Sequence, residues 1–125
     1  MCGIVGGVTN KNITPLLLEG LNRLEYRGYD SSGLIVLSSK NTFIRARSVG
    51  KVANLEKNLK SRSKKINGNI GIAHTRWATH GEPSSLNAHP HMSKNSVSVV
   101  HNGIIENYIA LKNNQIKQGY KFKSE

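Results

Sequence analysis

A single cysteine stands in this chain, with no second thiol for it to pair with. That excludes an internal disulfide framework and a cysteine-based zinc site, and it suits a reducing cytoplasm. No apolar run approaches the roughly 20 residues that a membrane-spanning helix needs, so no membrane partner is expected. The N-terminus lacks the basic segment and apolar core of a secretory signal. Aromatic residues are scarce at 6%, and hydrophobic residues make up 37%. This is lean for a dense core, yet not the composition of a disordered chain. A length of 125 residues allows one ordinary domain and not two. The expectation is a soluble, cytoplasmic protein.

Acidic residues are also short: seven stand against eighteen basic ones, for a net charge of +11. Such an excess invites a nucleic-acid reading. Most of it is lysine scattered among Asn and Ile, the pattern of AT-rich coding. The densest cluster, Lys60-Ser61-Arg62-Ser63-Lys64-Lys65, ends at Asn67-Gly68 and reads as a solvated loop. No aromatic residue interleaves with it to stack on bases. Weak attraction to polyanions follows; a dedicated nucleic-acid site does not.

Among what is there, position gives the cysteine its interest. It is the second residue, in Met1-Cys2-Gly3-Ile4-Val5-Gly6. Cys2 and Gly3 are small, so trimming of Met1 is expected to leave Cys2 as the N-terminal residue. One residue then carries a thiol and a free α-amine, with ordinary pKa values of about 8.5 and about 7.7–8.0. Moving the proton from sulfur to nitrogen costs only ~1 kcal/mol. That is a nucleophile with its own base. The competing reading is a small buried thiol behind an untrimmed methionine.

Periodicity gives a coarse map. Ile4 to Val8 reads as a strand beginning at the cysteine. Thr14-Pro15 marks a helix start, with Leu17, Leu18, Leu21 and Leu24 on one face and Gly28 as a stop. Gly33 to Leu37 and Thr42 to Arg47 read as a hairpin around Ser38-Ser39-Lys40-Asn41. Val52, Leu55 and Leu59 mark a short amphipathic helix. Ile70 to His74 reads as a strand, Thr75 to Asn95 as a long polar loop, and Val97 to Val100 as a strand ending at Asn102-Gly103. A helix from Ile105 to Gln118, stopped by Gly119, is followed by Tyr120, Phe122 and Ser124 alternating with Lys121, Lys123 and Glu125, as in a new strand.

Four segments resemble a known family: Met1-Cys2-Gly3-Ile4-Val5-Gly6; Arg23-Leu24-Glu25-Tyr26-Arg27-Gly28-Tyr29-Asp30-Ser31; His74-Thr75-Arg76-Trp77-Ala78-Thr79-His80-Gly81; and His101-Asn102-Gly103-Ile104-Ile105-Glu106-Asn107. The family is that of the glutaminase domains of glutamine–fructose-6-phosphate aminotransferases (glucosamine-6-phosphate synthases). These are glutamine amidotransferases with an N-terminal cysteine, within the N-terminal-nucleophile hydrolases. The resemblance covers essentially all 125 residues in order. The Cys-Gly-Ile-Val start alone indicates only the wider amidotransferase group; the segments around Trp77 and Asn107 resemble the sugar-phosphate branch.

The chemistry implied by the resemblance is hydrolysis of L-glutamine through a thioester on Cys2, with the α-amine moving the protons. No cofactor is implied. The resemblance makes Asn102 and Gly103 an oxyanion site, where one donor is typically worth ~3 kcal/mol of barrier; an ordinary Asn-Gly turn is the competing reading, and both fit together. Arg76 would clamp the glutamine α-carboxylate, against the alternative of a surface charge. Thr79 and His80 would line the same pocket. Trp77 either walls it or packs the loop. Arg27 would favour the Cys2 thiolate or merely cap the first helix. His89 is expected to order the loop or the pocket edge. His80 and His89-Pro90-His91 match no standard metal spacing.

The fold implied is an α/β four-layer α/β/β/α sandwich, with residues 1–125 as about the first half of a type 2 glutamine amidotransferase domain. In relatives the domain runs on, followed by two sugar-isomerase domains that bind fructose 6-phosphate and supply much of a homodimer interface. The carboxylate that holds the glutamine α-ammonium would lie just beyond Glu125, and an unpaired buried ammonium typically costs ~2–5 kcal/mol. Without that carboxylate glutamine binding is expected to be crippled, and without the second sheet an apolar face and a strand edge are expected to stand uncovered. Two other readings remain open: an inactive remnant or a piece that needs a complementary chain, and a basic nucleic-acid-associated protein.

Overall fold

The computed structural model describes residues 1–63 and 65–124. Lys64 of the basic cluster and Glu125 of the alternating terminal segment lie outside the described residues. Its strands are β1 (Gly3–Val8), β2 (Ser31–Leu37), β3 (Phe43–Val49), β4 (Ile70–Arg76), β5 (His91–Ser93) and β6 (Val97–Val99). Its helices are α1 (Thr14–Arg23), α2 (Val52–Lys60) and α3 (Tyr108–Lys117), with a 3-10 turn at Glu25–Arg27. Four strands form one antiparallel sheet in the order β1-β4-β2-β3, and β5 pairs with β6 in a separate hairpin.

Alternation along the strands divides the sheet into two faces. One takes Leu34 and Val36 of β2, Ala46 of β3 and Ala73 of β4, all buried. Against it pack Leu17 and Leu21 from α1 and Val52 and Leu55 from α2, at helical spacing and with almost no exposure. Burying one such leucine side chain typically contributes about 1.5–3 kcal/mol. This helical layer and sheet are two of the four layers expected, and the mixed α/β class is as expected.

The opposite face carries His74 and Arg76 from β4, with Ile4 of β1 and Gly33 of β2 flanking His74. A loop lies directly on it. Arg47 of β3 donates from Nη1 to the carbonyls of Leu86 (3.0 Å) and Ala88 (2.9 Å), and Arg45 donates to that of Pro90 (3.3 Å). Gly33 is what permits this approach, because a Cβ there would stand 2.2 Å from the His89 carbonyl oxygen.

Several expectations need correction. Thr14 opens α1, but Ile13 holds the N-cap position; the capping oxygen is Oδ1 of Asn12, which accepts from the Thr14 backbone N–H (3.1 Å) and hydroxyl (2.9 Å). β4 runs two residues beyond His74, because Thr75 and Arg76 still find partners on β2. The loop expected over Thr75–Asn95 therefore begins later, and its end pairs as β5 with β6. α3 starts at Tyr108 rather than Ile105.

The strand expected from Tyr120 is absent: residues 120–124 are irregular. The Tyr120 N–H turns back to the Gln115 carbonyl (3.0 Å) and the Gly119 N–H to that of Ile116 (2.9 Å). With Gly119 at φ +89°, this is a Schellman closure of α3. No residue of α3 is buried. Ile4, Val8 and Ile70 on the sheet, and Ile109, Leu111, Ile116 and Phe122, remain exposed, as expected for an uncovered apolar face.

Candidate active site

The register of β1 against β4 places the cysteine. Gly3 pairs with Thr75, so the residue before it falls beside Arg76–Trp77. Sγ of Cys2 accepts the backbone N–H of Trp77 at 3.1 Å and lies 3.8 Å from the Trp77 carbonyl oxygen. The Met1 amine donates to the carbonyls of Arg27 (2.9 Å) and Gly28 (2.8 Å). The turn after α1 thus lies against the N-terminus, as the family resemblance implied. Asp30 ties that turn to the next strand end, its carboxylate accepting the Ala78 N–H. The ring of Trp77 lies over Gly28, where a Cβ would meet Cζ3 at 3.2 Å.

Arg76 is 8% exposed and holds the loop that follows it. Its Nη2 donates to the carbonyls of His80 and Gly81, the latter at 3.2 Å, and Nη1 donates to that of Glu82 (3.3 Å). These bonds fix the guanidinium within the loop that follows β4.

Around this stands a group of imidazoles. The His74 and His89 rings are 4.4 Å apart, as are those of His89 and His91. Burial pushes His74 below its ordinary range, and pushes His89 down to about 3 and His91 to about 4; adjacent imidazoles and arginines add to the effect. All three are neutral at pH 7. Nε2 of His74 lies 2.5 Å from Oδ1 of Asn102, and Nδ1 of His89 accepts the His101 N–H at 3.3 Å. Gly103 follows at φ +149°, where a Cβ would crowd the His101 ring at 3.0 Å.

These groups wall one cavity of about 390 Å³. Cys2, Arg76, Trp77, Thr79, His80, His89 and Gly103 all line it, so seven of the nine residues singled out from sequence meet at one place. Asn102 sits between two wall residues, His101 and Gly103, and is tied to a third, His74. Arg27 is not part of the wall; its backbone carbonyl holds the terminal amine, while its guanidinium lies 4.0 Å from Sδ of Met1. His80 packs edge-on against Tyr108, with ring centroids 4.7 Å apart.

Sequence reasoning passed over His74, Asn87, His91 and His101, which also line the cavity. His74 and His101 stood inside motifs already singled out, so their signal was present but carried no role. Among the described residues, no three His, Cys, Asp or Glu side chains converge as metal ligands would. Nor is any helix among them long and apolar enough to cross a membrane. A larger groove of about 980 Å³ between α1 and α2 is lined by Leu18, Leu59 and Ile66 together with Glu19 and Lys60, and holds neither thiol nor imidazole.

No family model matches the chain. All 125 residues align at 56% identity with 20% of the glutamine–fructose-6-phosphate aminotransferase (isomerizing) of Buchnera aphidicola subsp. Baizongia pistaciae. The chain therefore spans about a fifth of the length of such relatives, at their N-terminal end. Among solved structures, an allosteric regulatory enzyme of purine biosynthesis superposes on 98% of the chain with a TM-score of 0.78 and 26% identity, the match covering 27% of that enzyme. The glutamine phosphoribosylpyrophosphate amidotransferase of B. subtilis gives a TM-score of 0.68 and 25% identity, covering 97% of this chain and 25% of that one. The resemblance read from the four motifs is borne out along the whole chain.

Proposed function

We propose that this chain, similar from end to end to the N-terminal part of the glutamine–fructose-6-phosphate aminotransferases, carries the glutamine-hydrolysing half of such a reaction. Residues 1–125 are read as the N-terminal part of a type 2 glutamine amidotransferase domain, working in the cytoplasm. The observation that carries this reading is the convergence of Cys2, Arg76 and the Asn102–Gly103 turn on one cavity wall.

The chemistry runs as follows. Removal of Met1 frees the α-amine of Cys2, which takes the thiol proton. Sulfur attacks the side-chain amide carbon of glutamine. The oxyanion is met by the Asn102 side-chain amide and the Gly103 N–H. The ammonium of Cys2 protonates the departing nitrogen, ammonia leaves, and a thioester remains. Water then adds to the thioester carbon and the thiol departs, releasing glutamate. Arg76, on the cavity wall, pairs with the substrate α-carboxylate, while Trp77, Thr79, His80 and His89 shape the pocket. The Arg27 carbonyl holds the Met1 amine of the untrimmed chain, a bond that leaves with Met1. The ammonia would serve fructose 6-phosphate bound by isomerase domains of a longer, dimeric protein.

A second reading is that the site works only when a complementary chain covers the apolar surface, which the exposed Ile4, Ile70, Ile109 and Phe122 favour. Glutamate release from glutamine by the purified chain, set against Cys2→Ala, tests the first reading. Equal rates would remove it for the chain alone, and recovery on adding the remainder of the domain would support the second.

A further inference from the structure

We infer that His74 is the positioning residue of the oxyanion site: its Nε2–H holds Oδ1 of Asn102, leaving the amide nitrogen of Asn102 as the end available to a developing oxyanion. The inference rests on the reading of Asn102 as an oxyanion donor.

A carboxamide offers an acceptor at one end and two donors at the other. A turn residue as exposed as Asn102 has nothing in its own backbone to decide which end faces a substrate. His74 decides it. An oxygen only accepts, so at 2.5 Å the proton must sit on Nε2. The imidazole is 1% exposed and hangs from the middle of a strand paired on both sides, with Ile4 and Gly33 as its neighbours. Its position is therefore as rigid as the sheet.

His89 fixes the other side of the turn. Its ring lies 4.4 Å from that of His74, and its Nδ1 accepts the N–H of His101, the residue preceding Asn102. His89 must then carry its own proton on Nε2. Burial keeps both rings neutral at pH 7, so each presents one donor and one acceptor, and neither tautomer is free to exchange without breaking a bond to the turn. A histidine serving only as core filling would need neither bond.

Two measurements test this. The first is the nitrogen NMR spectrum of the imidazoles in the full chain. It should show His74 as the neutral Nε2–H tautomer and change its Nε2 signal in Asn102→Ala. An Nδ1–H tautomer, or a His74 signal indifferent to Asn102→Ala, would overturn the inference whether or not the chain turns over. The second is a kinetic cycle on glutamate release. His74→Ala should lower kcat about 10–100-fold with KM nearly unchanged, less than the roughly 100–1,000-fold typical of losing an oxyanion donor outright. In an Asn102→Ala background the same change should cost nothing more. His74→Gln, which keeps an N–H donor at similar reach, should restore most of kcat and guards against a misfolded alanine variant. Multiplicative losses, or a loss confined to KM, would contradict a positioning role. Absence of any Cys2-dependent turnover would count against the proposed function instead, and the tautomer would still decide the inference.

Discussion

The backbone N–H of Trp77 donates to Sγ of Cys2 at 3.1 Å, joining residues 75 positions apart. That bond exists because an edge strand, β1, pairs along its whole length with β4. The Cys2 thiol is thus positioned by sheet register, and whatever disturbs the first pair of that ladder moves the sulfur.

Gly3 occupies that first pair. A Cβ there would stand 2.5 Å from Cδ1 of Leu24 and 3.1 Å from Oγ1 of Thr75. Gly3→Val should cost about 1–3 kcal/mol of stability through overpacking and slow alkylation of Cys2 under native conditions. Urea unfolding and thiol titration measure the two together; a stable variant with unchanged Cys2 reactivity would show that the ladder does not set the site.

The terminal amine is the second lever. With Met1 retained, its amine bonds the carbonyls of Arg27 and Gly28, and the Cys2 nitrogen is an amide with no basicity. A non-cleavable extension before Cys2 should abolish glutamate release while leaving the thiol open to small alkylating agents. Turnover undiminished by the extension would mean that another group serves as base.

Arg76→Lys keeps a charge but loses the fork geometry. The three donors of a lysine ammonium sit on one nitrogen and cannot span the carbonyls of His80, Gly81 and Glu82 while also reaching a carboxylate. KM for glutamine should rise at least about tenfold, and amides of residues 80–82 should exchange hydrogen faster. An unchanged KM would remove Arg76 from substrate binding.

Acid should weaken the fold before its carboxylates titrate. In the unfolded chain His89 and His91 take up protons near pH 6.5, whereas in the fold they resist down to about 3 and about 4. The unfolded state therefore binds more protons throughout that interval, and stability falls as pH falls. It is complete above about pH 6.5 and declines toward pH 4. The melting temperature measured from pH 7 to pH 5, where Asp and Glu stay ionised, isolates the effect. His91→Asn should flatten the slope, and a wild-type profile flat over that range would contradict the burial of these imidazoles.

Elements that satisfy themselves locally were the legible part of the fold. Leu17, Leu21, Val52 and Leu55 announced two helix faces by spacing alone, and Gly119 announced the end of α3. The strand at Tyr120 failed because alternation needs a partner edge; here the Tyr120 N–H closes the helix, while Tyr120 and Phe122 receive Lys94 and Lys112 over their rings, at 5.2 and 5.6 Å. The site was legible wherever a motif carried its own chemistry, as with Cys2 and Arg76. His74 was not, because its partner Asn102 stands 28 positions away and only the fold brings the two together. Arg45 and Arg47 fell within the second strand of the expected hairpin, and nothing local foretold that a loop would lie upon them.

A Cys2 nucleophile in a pocket that recognises glutamine should react first with an electrophilic analogue of that substrate. Intact-mass and peptide mass spectrometry of the chain, treated with a halomethyl-ketone analogue of glutamine, tests this most directly. One adduct per chain, confined to Cys2 and prevented by excess glutamine, is the predicted result. Labelling that glutamine fails to suppress, or none at all on Cys2, would contradict the account.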